Sequence, residues 1–564
     1  MEALDWVVIG VFFLALIGII VWVVRQKQND SADYFLGGRD ATWLAIGASI
    51  FASNIGSEHL IGLAGAGASS GMAMAHWEIQ GWMILILGWV FVPFYSRSMV
   101  YTMPEFLERR YNPQSRTILS VISLVSYVLT KVAVTVYAGG LVFQQVFGIK
   151  ELWGIDFFWI AAIGLVVLTA LYTIFGGMKS VLYTSVLQTP ILLLGSLIIL
   201  VLGFKELGGW DEMMRVCGAV TVNDYGDTMT NLIRSNDDAN FPWLGALIGS
   251  AIIGFWYWCT DQFIVQRVLS GKNEKEARRG TIFGAYLKLL PVFLFLIPGM
   301  IAFALHQKYI GAGGEGFLPM LANGTANADA AFPTLVAKLL PAGVKGLVVC
   351  GILAALMSSL ASLFNSSAML FTIDFYKRFR PETPEKKLVG IGQIATVVIV
   401  ILGILWIPIM RSVGDVLYTY LQDVQSVLAP GIAAAFLLGI CWKRTSAQGG
   451  MWGLIAGMII GLTRLGAKVY YSNAGEVADS TFKYLFYDMN WLFFCGWMFL
   501  FCIIVVIVVS LATEAPTAEK IQGLVFGTAT KEQKAATRAS WDHWDIIHTV
   551  IILAITGAFY WYFW

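Results

Sequence analysis

The sequence predicts an all-α polytopic membrane protein of about fourteen transmembrane helices, with a five-plus-five inverted-repeat core whose first and sixth helices are interrupted. Three observations predict it. Apolar residues make up 58% of the 564-residue chain and charged residues only 13%, with a mean hydropathy of +0.72; a water-soluble domain has about a quarter of its residues charged. Apolar runs long enough to cross a bilayer, which takes about 20 helical residues, recur along the whole chain. Two of these runs, five apart, are broken near their middles by polar residues.

The predicted spans cover residues 5–25, 42–69, 73–96, 114–147, 155–175, 178–204, 241–269, 279–306, 340–374, 387–409, 414–440, 447–469, 486–512 and 545–563. The polar stretches 97–113, 205–240, 307–339, 375–386 and 513–544 read as loops. The first run, Trp6 to Val24, lacks a basic leader and a small-residue cleavage site, so it reads as a retained helix. The division that follows is an extra N-terminal helix at 1–30, a first repeat with an outer loop at 31–240, a second repeat at 241–445 and C-terminal helices at 446–564. Lysine and arginine placement orients the chain. With both termini outside, the inner loops hold 24 of the 37 basic residues, while the outer loop 205–240 is acidic. A net charge of +1 gives no electrostatic case for nucleic acid. Six cysteines form no disulfide or metal-ligand spacing, and only Cys217 falls in a loop.

The second span contains FASNIGSEH, residues 51–59. Asn and Ser compete for backbone hydrogen bonds and Gly is a weak helix former, so this segment predicts a break. Small-residue packing would explain the Gly and Ser, but adjacent Glu58 and His59 are poor packing residues in lipid. Five spans later, FWYWCTDQFIVQR at 255–267 leads aromatic residues into Thr260, Asp261 and Gln262. An interfacial aromatic belt is the plain alternative. The matched positions favour paired half-helices around a midplane site, where freed carbonyls bind cations and helix ends face polar solutes.

The ninth span is rich in hydroxyls: Ser358, Ser359, Ser362, Ser366 and Ser367. Close helix packing and a cation site both explain such a segment. In the second reading, hydroxyls on the helix face shared by Ala355, Ser358 and Ser362 join carbonyls freed at Ala52 and Ile55, and an all-oxygen, uncharged ligand set suits a hard monovalent ion. Further ionisable or polar residues lie inside spans: Glu78 beside Trp77 in the third, Lys288 in the eighth, Gln422 and Asp423 in the eleventh. Such residues are functional candidates by default, although Glu78 and Lys288 can equally form a structural pair. Lys131 reads as a snorkelling or packing lysine without a role.

Over roughly residues 30–512 and the last helix, the chain resembles the sodium/solute symporter family, within it the sodium–glucose cotransporter branch. The shared segments include SADYFLGGRD, FASNIGSEHLIGLAG, YTMPEFLERRY, YTIFGGMKSVLYT, YWCTDQFIVQRVLSGKN, GILAALMSSLASLFNSSAMLFTIDFYK and YLQDVQSVLAPGIAAAFLLG. The resemblance implies a co-transported sodium ion held by Ala52, Ile55, Ala355, Ser358 and Ser359. It implies a sugar site of Asn54, His59, Glu78, Lys288 and Gln422, with Tyr257 stacking on the inner side beside Trp258, and Trp77 and Tyr418 as outer aromatics. Two positions depart from the branch pattern. Ser185 stands where the family usually has Asp, which implies one sodium per solute. Gly254 stands where a polar side chain often touches the sugar, which implies room for a bulkier or differently oriented solute.

The expected activity is sodium-coupled import of a glucose- or galactose-type hexose by alternating access, in the plasma membrane (the inner membrane of a bacterium), as a monomer or weak oligomer. Alternatives are another solute on the same fold, such as myo-inositol, a sugar acid or an amino acid, and a sodium-independent uniporter. A membrane sensor lacks an output domain here. An enzyme lacks a nucleophile–base or metal cluster in the sequence.

Overall fold

Backbone groups in hydrocarbon have no water to bond, so a spanning chain must close its own hydrogen bonds helix by helix. The computed structural model of the chain describes residues 1–26, 30–56, 58–321, 324–411, 417–473 and 478–564, without the side chains of 128–130, 141, 145, 406–407, 409–411, 417–420 and 472–473. Lys27 and Ser57 lie outside the described residues. Among the described residues, eleven helices are long and apolar enough to cross a membrane. They account for the fourteen expected spans once two joins and one subdivided span are recognised. The second and third spans run together in Glu58–Ser98, and the fifth and sixth in Phe157–Leu207. The fourth is subdivided, leaving Ala133–Gln144 as a short apolar piece.

The 51-residue stretch Phe157–Leu207 is two spans because it turns at Gly177, with φ 53° and ψ −147°. Side-chain-bearing residues avoid that conformation. A Cβ there would also overlap the Tyr34 carbonyl oxygen.

Both predicted interruptions are present. The helix Trp43–Asn54 ends where Ile55 turns extended (φ −80°, ψ 102°), and the chain resumes through wide π-type turns at Glu58–Leu63 and the helix Ala64–Ser70. The helix Trp243–Gly254 widens into π-type turns over Phe255–Thr260 and breaks at Asp261 (φ −77°, ψ 128°). The helix Gln262–Leu269 then starts with the Asp261 carboxylate capping Phe263 N–H.

Four stretches expected as loops contain short helices: Met103–Arg110, Trp210–Gly218, Ala331–Leu339 and Lys531–Ala539. Eight or nine residues are too few for an apolar period to declare itself. The local caps do so instead, with Thr102 accepting from Glu105 N–H and Thr530 closing a capping box with Gln533. Cys217 therefore sits buried in a helix rather than in a loop, and the exposed cysteine is Cys441.

The helix Trp43–Asn54 packs between Glu274–Lys288, the 157–207 stretch and the serine-rich helix Val344–Met369. The last of these is buried from Gly346 onward along nearly all of its length. Leu417–Cys441 packs against Ala447–Asn473 and Trp491–Ala512. The N-terminal helix Ala3–Val24 lies outside this core, and its Asp5 carboxylate accepts from Gly343 N–H at 2.7 Å and Gly346 N–H at 2.8 Å. That contact caps the serine-rich helix. Leu14, Ile17, Val167, Leu171, Trp497 and Ile504 are among the exposed large apolar side chains, as a lipid-facing surface requires.

Candidate functional site

The two breaks bring helix ends, carbonyls and polar side chains to one place in the middle of the bundle. A small cavity there, with no more than about 620 Å³ of free space, is lined by Asn54, His59, Trp77, Glu78, Tyr257, Trp258, Lys288 and Gln422. These are eight of the nine solute positions implied by the sequence, drawn from five separated segments. The ninth, Tyr418, lies in the helix Leu417–Cys441, but its side chain is outside the described residues.

A hydrogen-bonded chain runs through the wall. Asn54 Nδ2 donates to the Tyr257 hydroxyl at 3.1 Å, and Lys288 Nζ donates to Asn54 Oδ1 at 3.2 Å. Lys288 Nζ also donates to Glu78 Oε2 at 2.6 Å, and His59 Nε2 lies 3.2 Å from the same oxygen. Glu78 and Lys288 are 1% and 3% exposed, so the pair is fully inside the protein. Its charges satisfy each other, which a buried ionisable residue needs. The pair is therefore structural and also faces the cavity. The Lys288 ammonium lies 5.3 Å from the Trp258 ring centroid, and Tyr257 and Trp258 meet edge to face at 4.9 Å.

Two cavity groups are left over. Gln422 Oε1 and Trp77 Nε1 are buried and have no hydrogen-bond partner among the described residues. An acceptor and a donor left open in a polar cavity fit a ligand that carries hydroxyls. Trp77 also stacks on Trp491 at 5.5 Å and meets Phe241 edge-on at 6.3 Å.

The positions implied for sodium lie at the neighbouring contact of two helices. Ala52 and Ile55 end the helix Trp43–Asn54, where carbonyls lose their partners one turn on. Ala355, Ser358 and Ser359 belong to the serine-rich helix packed against it. Ser53 and Ser362 share a hydroxyl–hydroxyl bond of 2.6 Å that ties the two helices together. Ser359 opens into the cavity itself. Ser185 faces Ser358 at 3.3 Å between hydroxyls and donates to the Val181 carbonyl at 2.6 Å, so it brings a neutral group to this place.

The structure changes two sequence readings here. Gly254 leaves no vacancy. A Cβ on it would overlap the side-chain amide of Gln80, which is anchored by donating to the Ser250 carbonyl at 2.8 Å. Gln80 thus occupies the room that a polar residue at 254 would take. Lys131 does not snorkel: it is 7% exposed, lines the cavity and pairs with Asp261 at 2.7 Å. Glu58, Gln80, Lys131, Phe263 and Gln425 all line the cavity without having been assigned to it. Spacing could have found two of them. Gln425 stands three residues after Gln422 on the same helix face, and Lys131 is an ionisable residue inside an apolar span.

Broken helices, a midplane polar cavity and an adjoining oxygen-lined helix contact define a secondary transporter of the inverted-repeat class. Comparison places it within that class. The profile of the Sodium:solute symporter family matches residues 34–457. Sodium/myo-inositol cotransporter 2 of Mus musculus is 37% identical over 542 residues, covering 94% of this chain and 80% of that protein. Sodium/glucose cotransporter 4 of Danio rerio is 35% identical over 560 residues, covering 96% and 84%. Among solved structures, a substrate-bound, outward-open Na⁺-coupled sialic acid symporter superposes with a TM-score of 0.72 at 22% identity, covering 92% of this chain and 99% of that one, a likeness of fold. The chain belongs to the sodium:solute symporter family, in its sodium–glucose cotransporter branch. It is a sodium-coupled membrane symporter and not an enzyme.

Proposed function

We propose that this symporter imports a neutral, polyhydroxylated six-membered ring: a hexose of the glucose or galactose type, or a cyclitol such as myo-inositol. The observation that carries this reading is the chain Tyr257–Asn54–Lys288–Glu78–His59 facing the open Gln422 Oε1. Acid, amide, imidazole and ammonium groups read a rim of hydroxyls, and Tyr257 and Trp77 cover the C–H faces of the ring. A site built on such bonds rejects analogues that lack a hydroxyl, because its buried partners are left unpaired. Glu78 disfavours a sugar acid or an amino acid. Similarity to proteins named for myo-inositol and for glucose supports both ring types.

In this reading Ala52, Ile55, Ala355, Ser358 and Ser359 hold one sodium ion per solute. Sodium joins the helices Trp43–Asn54 and Val344–Met369 and preorganises the neighbouring cavity. Solute binding then favours closure of the outer aromatics. Inward opening parts the two helices, weakens the sodium site and loosens Tyr257. The coupling is a reciprocal binding energy between two adjacent sites. Both termini lie outside the plasma membrane.

The test is uptake by proteoliposomes of labelled glucose, galactose, myo-inositol and a sugar acid, with and without a sodium gradient. Sodium-dependent accumulation of a hexose or of myo-inositol is the expected result. Equilibration that ignores sodium would identify a uniporter, and accumulation of the sugar acid alone would overturn the solute assignment.

A further inference from the structure

The break in the sixth core helix is held by a charge that none of the proposed solute contacts uses. Lys131 lies in the middle of the fourth span, and its ammonium donates to Asp261 Oδ2 at 2.7 Å. The other oxygen of Asp261 accepts from Phe263 N–H at 3.2 Å and from the Tyr127 hydroxyl. That hydroxyl accepts from the same Phe263 N–H at 3.0 Å. Asp261 is the residue at which the helix turns extended. One carboxylate therefore joins the start of the following half-helix to the fourth span.

The ammonium also faces four aromatic rings. It lies 4.6 Å from the centroid of Tyr257, 4.7 Å from Phe263, 5.1 Å from Tyr127 and 5.4 Å from Trp256. Trp256 and Tyr257 precede the break and Phe263 follows it. Cation–π attraction strengthens when the cation is desolvated. Lys131 thus gathers both sides of the break around one charge, and Tyr257 is the ring assigned to the inner face of the solute.

A buried ion pair is weak evidence for stability, since apolar residues of similar volume often do as well. What such a pair supplies is one defined arrangement that is lost when its partners part. We propose that Lys131 and Asp261 form a latch that holds the Phe255–Thr260 segment closed beneath the cavity, and that parting of this pair frees Tyr257 for inward release. Lys131 is a positioning residue that acts through Tyr257 and the break. The release step rests on the solute reading above; the latch rests only on the contacts at the break.

Native cysteines report on the latch without any solute. Cys259 is buried in the same segment, its thiol 3.6 Å from the Met83 carbonyl oxygen. Cys350 and Cys495 are as deeply buried in the helices Val344–Met369 and Trp491–Ala512. Peptide-resolved mass spectrometry follows N-ethylmaleimide labelling of all three in wild type, Asp261→Asn and the double variant Lys131→Met with Asp261→Asn. The double variant leaves no unpaired charge in the membrane, and the Asn variant is milder because Lys131 still faces the four rings and can donate to the amide oxygen. Local opening predicts Cys259 labelling about tenfold faster in the double variant and about threefold faster in Asp261→Asn. Cys350 and Cys495 keep their wild-type rates, the solute KM rises, and half-saturating sodium stays within about twofold. Cys259 labelling at the wild-type rate in both variants overturns the latch. An equal rise at all three cysteines overturns it too, since that reports a loosened fold. A wild-type protein that moves no hexose or cyclitol would end the solute reading and leave the labelling comparison standing.

Discussion

Gln422 and Ser359 carry the sharpest consequences at the residue scale. Among the described residues Gln422 Oε1 has no hydrogen-bond partner, and Gln422 lines the cavity. Gln422→Ala removes this oxygen while leaving the Glu78–Lys288 pair in place, so uptake should fall by about 10–100-fold, as expected when a buried solute hydroxyl is left unpaired at a cost of about 1–3 kcal/mol. Monodisperse protein of unchanged thermal stability with normal uptake would take Gln422 out of the site. Ser359 lines the cavity and belongs to the proposed sodium ligands. Ser359→Ala should raise half-saturating sodium about tenfold, a change of about 1.4 kcal/mol, in uptake measured across a sodium series. An unchanged sodium dependence would remove this hydroxyl from the ligand set. Glu78, Lys288 and His59 were visible in the sequence because ionisable residues stand out in apolar runs. Gln80 did not stand out: its part depends on the missing side chain at Gly254, 174 positions away. That pairing exists only after the third and seventh spans pack together.

Among elements, the turn at Gly177 is what allows one continuous stretch to cross the membrane twice. Gly177→Ala forces a side chain into a conformation that costs about 1–3 kcal/mol and drives its Cβ into the Tyr34 carbonyl. The recovered folded protein should drop sharply and its thermal midpoint fall by several degrees in detergent. Wild-type recovery and stability would show that the turn tolerates a side chain. Both helix breaks were legible, since Asn54–Gly56 and Thr260–Gln262 pair polar and weakly helical residues with matched positions in two repeats. The short helices Met103–Arg110 and Trp210–Gly218 were not, because eight or nine residues show too little of a 3.6-residue period to separate from a polar loop.

For the whole molecule, the ion-to-solute ratio decides how far a solute can be concentrated. Ser185 offers a hydroxyl at the Ser358 contact and no carboxylate, which supports one sodium per cycle. Simultaneous current and tracer flux should then give about one charge per solute. A ratio near two would require a second sodium ion and sink the single-ion reading. One charge crossing about 100 mV releases roughly 2.3 kcal/mol, and a tenfold sodium gradient adds roughly 1.4 kcal/mol, enough to accumulate solute several hundredfold.

The sequence alone determined the solvent, the spans and the breaks. Those follow from local facts: how many apolar residues run together, and where Gly, Asn, Ser or Asp interrupts them. Most of the cavity wall was also within reach, because polar residues are rare enough in lipid-facing helices to be noticed singly. Only the tertiary structure decided which polar residues satisfy one another. Lys131 met Asp261 across 130 positions, Gln80 filled the space over Gly254, and Gln422 was left with an open oxygen. Those outcomes are set by contacts between helices remote in sequence, and no periodicity within a single helix encodes them.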